Sequence, residues 1–173
     1  MRGAIVVGVV MLVGCSSDGG GDSSAVVSAS TTYNCLTASA GQGFVSIPVE
    51  NSTVLETLDY TIQASGTVDA VVGLSAGAPT KFASLAAIAR LNSNGHIDAR
   101  DGSTYRADSS PLYSTNVIPL RIVADITRHR YAVEAQGTEV AGDFQFRTEQ
   151  ASVTHLDHLG VIVDSPTGTV TVC

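Results

Sequence analysis

The chain has 173 residues, 44% of them hydrophobic and 14% charged, with a formal net charge of −7. That balance excludes a disordered chain, and an acidic sequence without basic runs argues against nucleic acid and against electrostatic attachment to anionic lipid. Tryptophan is absent, and the abundance of Thr, Val, Ser, Ala and Gly suits sheets joined by small-residue turns.

The N-terminus reads as an address. Arg2 precedes the apolar run Ala4 to Val13, too short for a bilayer core of about 30 Å, which takes roughly 20 residues. A basic residue, a short apolar stretch and small residues at its end predict a secretory signal over residues 1–14. The tetrapeptide Leu12-Val13-Gly14-Cys15 resembles the lipobox of bacterial lipoproteins, whose cysteine is acylated. The resemblance implies a lipid on Cys15 and the membrane as a partner; the alternative is an ordinary secretory signal with a chance cysteine. Residues 15–30, with Ser16-Ser17-Asp18-Gly19-Gly20-Gly21 at their start, read as a flexible tether reaching on the order of 20 Å. Ser16 rather than Asp after the cysteine implies the outer membrane in a Gram-negative source. The predicted localisation is the cell envelope, with the domain facing the periplasm or the exterior.

Of the three cysteines, acylation removes Cys15. Cys35 and Cys173 remain, one near each end of the folded part, and in an oxidising compartment they are expected to form a disulfide. The bond requires the first and last strands to be neighbours, within about 7 Å at Cα.

From residue 31 to 173 the text breaks into short β-like runs. Tyr33 to Thr37 predicts a first strand and Phe44 to Ile47 a second, which Pro48 should end or place at a sheet edge. Leu55 to Ala64 sets Leu58, Tyr60, Ile62 and Ala64 against Asp59, Thr61 and Gln63, a half-buried strand. Val68 to Leu74 is apolar throughout, a strand covered on both faces or bent at Gly73. Lys81 to Leu91 is alanine-rich and helical by propensity. The Asn94-Gly95 pair behind it is a strong hairpin signal, so Leu85 to Asn92 is read as a strand folding back on Gly95 to Arg100. Leu120 to Gln136 is the clearest feature: alternation on both sides of the Arg128-His129-Arg130 turn predicts an antiparallel hairpin with one buried face. Gly160 to Val163 and Thr169 to Val172 are the last two strands.

Several stretches resemble one family: Val71-Val72-Gly73-Leu74-Ser75, Ile97 to Gly102, the Leu120 to Tyr131 hairpin, and Phe146-Arg147-Thr148-Glu149-Gln150 followed by Val153 to Leu156. Together they resemble the laminin G-like, concanavalin A-like jelly-roll modules of secreted bacterial proteins. The resemblance implies an all-β fold, an antiparallel two-sheet β-sandwich with its terminal strands side by side, and a ligand that is a glycan, a cell-wall component or a protein. The family pattern places a Trp just after Leu156-Asp157; here His158-Leu159 stands instead, so sugar stacking on an indole is not provided.

Other motifs compete with bland readings. Gly73-Leu74-Ser75-Ala76-Gly77 fits the nucleophile elbow, with His155 or His158 as a later base. Pro79 delays the helix that must follow, and no βαβ alternation surrounds the motif. A serine hydrolase is therefore the most distant reading. His155 and His158 lie three apart, on opposite faces of a strand, and read as surface-loop residues rather than metal ligands. Arg147 and Glu149 lie two apart and are expected on one strand face, each free to pair with a neighbour. Asp98, Arg100, Asp101 and Tyr105 gather at two turns; with Arg147 they are the candidate ligand-binding residues. No cofactor is expected, and this rim is the first place to look for a polar ligand or a Ca²⁺ ion, since hard cations favour carboxylates and carbonyls. No Glu-x-Asp-x-x-Glu strand or Gln-Ile-His is present, so no catalytic residues are assigned. The expected function is a membrane-tethered, non-catalytic binding module; the alternative is a polysaccharide lyase or hydrolase on the same fold.

Overall fold

The structure is a computed structural model that describes residues 35–173. The predicted signal, the tether, Cys15 and the start of the first predicted strand lie outside the described residues. Twelve strands follow in order: β1 (Leu36–Ser39), β2 (Val45–Ser52), β3 (Leu55–Ala64), β4 (Ala70–Ser75), β5 (Leu85–Leu91), β6 (Ile97–Asp101), β7 (Thr104–Arg106), β8 (Ile118–Asp125), β9 (Arg130–Ala135), β10 (Thr138–Gln145), β11 (Leu156–Val163) and β12 (Thr169–Val172). Single 3₁₀ turns occupy Phe82–Ser84 and Thr148–Gln150.

The strands form two antiparallel six-stranded sheets. One, sheet A, has the order β1-β12-β3-β8-β9-β10; the other, sheet B, has the order β2-β11-β4-β5-β6-β7. The expected β-sandwich of concanavalin A-like jelly-roll type is the fold. Its core is what the alternation predicts: Leu58, Tyr60, Ile62 and Ala64 from β3, Leu120, Ile122 and Ala124 from β8, and Tyr131, Val133 and Ala135 from β9. They pack with Val72, Leu74, Ala89, Leu91, Ile97 and Val161 of the facing sheet. Burying an aliphatic side chain of this size contributes about 1.5–3 kcal/mol. The terminal strands pair, Leu36 opposite Val172 and Ser39 opposite Thr169, and Cys35 is bonded to Cys173 with 4.2 Å between their Cα atoms.

Pro48 lies in an edge strand, one of its two expected outcomes: β2 runs on to Ser52 at the edge of sheet B and pairs on one side only, where a missing N–H is tolerated. Two local expectations need correction. Strand β11 starts at Leu156, four residues before the expected Gly160, so Asp157 and His158 lie on a strand. Arg147 and Glu149 sit not on a strand face but around a 3₁₀ turn.

The alanine-rich segment is a strand, and the reason is packing. Ala86, Ala87 and Ile88 are fully buried, and Gly73 sits opposite Ile88 in the β4–β5 ladder. A Cβ at Gly73 would lie 2.6 Å from the Ala87 carbonyl oxygen. Small residues on β4 and β5 let this backbone approach, and tertiary burial overrides helical propensity. The hairpin that follows closes through Asn92 N–H to the His96 carbonyl at 2.9 Å, with Gly95 at φ +80°, a left-handed position that favours glycine.

Candidate binding groove

Four of the five sequence-predicted ligand residues meet on the outer face of sheet B. The ladders place Arg90 opposite Asp98 and Arg100 opposite Tyr105. Arg90 Nε and Nη2 donate to the two Asp98 carboxylate oxygens at 2.8 and 2.6 Å, and Asn92 Nδ2 adds a third donor at 2.9 Å. The Arg90 guanidinium lies 3.8 Å from the Tyr105 ring centre and that of Arg100 lies 5.0 Å from it, contacts worth about 0.5–1 kcal/mol each. Burial pushes the Tyr105 phenol above its ordinary value, while Arg100, Arg90 and Arg147 pull the other way.

These groups are largely engaged with one another. Arg100 donates to the Gly102 and Ser103 carbonyls at 3.2 and 2.8 Å. Arg147 forks onto Glu149 at 3.0 and 3.2 Å, pairing with the residue two positions on rather than with a neighbouring strand. Asp98 is 7% exposed, so it is an interior partner of Arg90 and not a rim residue. Arg90 is the member that sequence reading missed; its cue is the Arg90–Asp98 pair flanking the Asn94-Gly95 hairpin.

Asp101 departs from the group. Its carboxylate accepts from Gln145 N–H at 2.8 Å and from Arg106 Nε at 2.7 Å. Burial works against its charge, but those two bonds outweigh it and hold the carboxyl below its ordinary value. Asp101 ties sheet B to β10. Among the described residues no group of three or more His, Cys, Asp or Glu is placed to hold a metal ion, and Ca²⁺ at Asp98 would have to displace a guanidinium.

The elbow residues are also brought together. Ser75 lies opposite His158 in the β4–β11 ladder. Asp157 Oδ1 accepts from His158 Nδ1 at 2.7 Å and from Gly77 N–H at 2.6 Å. His155 approaches the same carboxylate at 3.7 Å. Strand parity does not apply to the two histidines, because His155 precedes β11, which starts at Leu156, and both imidazoles approach Asp157. The His158 bond is the main reason the Asp157 carboxyl sits below its ordinary value. Ser75 itself is 0% exposed, and its hydroxyl donates to the Gly77 carbonyl at 2.8 Å. No substrate reaches that oxygen in this conformation.

A concave surface lies elsewhere among the described residues, on the outer face of sheet A. Register places Asp59 of β3 opposite Arg121 of β8, and Arg121 opposite Glu134 of β9. The three side chains form one charged row across adjacent strands. They line an open groove of about 490 Å³ together with Thr61, Pro119 and Gly137. Arg121 Nε and Nη2 donate to Asp59 Oδ1 and Oδ2 at 2.6 and 3.2 Å. Both side chains stay more than half exposed, at 52% and 60%. The hydrogen bond to Asp59, with the Asp59 and Glu134 charges behind it, raises the Arg121 guanidinium further above its ordinary value.

Chemically the row offers carboxylate acceptors flanking a planar set of donors. Arg121 Nη1 and the Glu134 oxygens make no hydrogen bond within the described residues. The volume falls in the range of small-molecule sites, about 300–1,000 Å³. Sequence reading treated Asp59, Arg121 and Glu134 as the solvated side of alternating strands. The cue was complementary charge at outward positions, but the β3–β8 register joins residues 62 apart, which no local pattern encodes.

No protein-family model and no curated protein matches the chain. Among solved structures, a sialidase is similar at TM-score 0.59 and 11% identity over 80% of this chain. The chain spans 14% of that sialidase's length. The SPRY domain of human HERC1 aligns at TM-score 0.47 and 14% identity, covering 80% of this chain and 87% of its own. The Caenorhabditis elegans galectin LEC-6 aligns at TM-score 0.42 and 18% identity, covering 79% and 95%. At these identities the sialidase likeness is one of fold.

Proposed function

We propose that this protein is a non-catalytic saccharide-binding β-sandwich, held at a bacterial cell envelope by a lipid on Cys15, and that it binds in the groove across β3, β8 and β9. The observation that carries the reading is the Asp59–Arg121–Glu134 row on an exposed sheet face within a ligand-sized groove. A guanidinium between two carboxylates offers charge-assisted donors and acceptors side by side, which the hydroxyls of a saccharide can both accept from and donate to. The groove has no aromatic platform, since Tyr60 is 7% exposed and packs in the core, so hydrogen bonds carry the affinity. Likeness of fold to part of a chain named as a sialidase is in keeping with this reading.

Hydrogen bonds to charged groups contribute about 1.5–3 kcal/mol, so Arg121→Ala should weaken binding roughly 10- to 100-fold. Affinity of wild type, Arg121→Ala and Glu134→Gln on an array of envelope and plant-type oligosaccharides tests this. Unchanged binding in both variants would sink the placement of the site. The anchor has its own test: labelled fatty acid should enter the wild type and be absent from Cys15→Ala.

One observation favours a catalytic alternative. Asp59 and Glu134 lie two strands apart, about 10 Å between backbones, near the upper range for an inverting carboxylate pair. Against it, the Arg121 fork occupies both Asp59 oxygens and fills the space a scissile bond would take. New reducing ends or unsaturated products from the same oligosaccharides would establish the catalytic reading.

A further inference from the structure

We propose that the groove selects its saccharide by charge: it disfavours chains bearing carboxylate or sulfate groups, and among the others favours one carrying a free amine. The inference rests on the saccharide reading of the groove. Its basis is the sign of each member of the row.

Arg121 is the cation of the row, and Asp59 already holds it through two hydrogen bonds. An acidic sugar must compete with that fork for the guanidinium while passing Glu134. Nothing on the far side compensates. Glu134 has no ion-pair partner among the described residues, and on the next strand Glu139 stands directly opposite it in the β9–β10 ladder. Like charges in directly opposed positions destabilise a sheet. The structure shows how Glu139 accommodates this: its side chain lies over Gly142, where a Cβ would come within 2.7 Å of its Oε1. The row therefore runs negative, positive, negative, negative from β3 to β10.

An amine laid beside Glu134 relieves that repulsion, whereas a second carboxylate adds to it. The groove is open, so salt screens both effects; the Debye length is about 8 Å at physiological ionic strength. An exposed charge pair in water shifts affinity by roughly two- to five-fold, and selection should have that size.

Three oligosaccharides of matched length separate the cases: oligoglucosamine, its N-acetylated form, and oligogalacturonate. Titration calorimetry at low salt should rank the amine first, the neutral form second and the acidic one last, with steps of roughly two- to five-fold. Glu134→Gln should erase the difference between the amine and neutral forms while both still bind. Asp164→Asn, far along the chain and outside the groove, should leave the ranking intact; an equal loss there would show that net charge alone attracts the amine and would overturn the proposal. Acidic binding as tight as the other two, abolished by Arg121→Ala, overturns the charge selection and leaves the groove in place. Silence from all three probes overturns both readings.

Discussion

Breaking the Cys35–Cys173 bond should cost more stability than any single side-chain change in the core. The cross-link joins residues 138 apart, almost the whole folded segment. For a loop of that length the chain-entropy model gives about 5 kcal/mol, acting on the unfolded chain. A domain is stable by about 5–15 kcal/mol in total, so the bond supplies a large share. The native contacts around it should survive its loss. Leu36 to Ser39 still pair with Thr169 to Val172, and Cys173 and Thr61 still exchange backbone hydrogen bonds at 2.9 and 2.8 Å. With no tryptophan in the chain, urea unfolding is best followed by far-ultraviolet circular dichroism. Taking a urea slope of about 2 kcal/mol per M, the midpoint of Cys35→Ala/Cys173→Ala should fall by about 2–3 M, and its slope should steepen because the freed unfolded chain exposes more surface. Coincident curves for the oxidised protein and the variant would refute the entropic argument.

Two buried groups give sharper tests of the core. The Tyr60 hydroxyl has no hydrogen-bond partner among the described residues, and burial drives its ionisation far above the ordinary phenol range. Tyr60→Phe removes an unpaid desolvation of about 1–2 kcal/mol and should raise the melting temperature by roughly 3–6 °C; a lower one would show that the hydroxyl is bonded. Glu56 is 6% exposed; burial raises its carboxyl, the Ser52 hydroxyl bond lowers it, and Glu50 adds to the rise. A carboxyl raised by folding is stabilising below its unfolded value, near about 4.3, and that contribution is lost as pH rises through the folded value. Glu56→Gln should therefore melt above wild type at pH 7 and together with it at pH 4. Equal melting at both pH values would contradict this.

What was legible in the sequence was periodic or punctuated. Leu55 to Ala64 and Thr169 to Val172 are strands with the expected limits, because alternation and turn residues mark both ends. The disulfide followed from the count and positions of the cysteines, once the lipobox resemblance set Cys15 aside and implied an oxidising compartment. Contacts that depend on register or on local irregularity were not legible. Asp98 was read as a rim carboxylate because its own neighbourhood is a turn, yet its partner Arg90 comes from the strand before the turn. His155 stops short of β11 while His158 lies on it, and Arg147 meets Glu149 because a 3₁₀ turn replaces the expected strand. The groove is the extreme case, since three unremarkable outward residues become a row only once β3, β8 and β9 are aligned.

The two outer faces differ for a reason written in small residues. On sheet B, Gly160 and Gly73 stand side by side in the β11–β4 ladder. A Cβ at Gly160 would come within 2.3 Å of Pro79 Cγ, and one at Gly73 would lie 3.3 Å from a Leu85 methyl. These glycines form a trough that receives Pro79 and Leu85, and Asp157 pins the covering segment through Gly77 N–H at 2.6 Å. Phe82 then packs edge-on against Phe44 at 5.5 Å between ring centres, while Arg90, Tyr105 and Arg100 cover the far end. That face is filled by its own side chains. The corresponding row of sheet A carries Asp59, Arg121 and Glu134, too long and too charged to accept an apolar cover without losing hydration. Among the described residues none lies over it, and the groove is the consequence. Placing the binding site there follows from which face can be covered at low cost, and an alanine at Gly160 should disturb the segment over sheet B while leaving saccharide affinity unchanged.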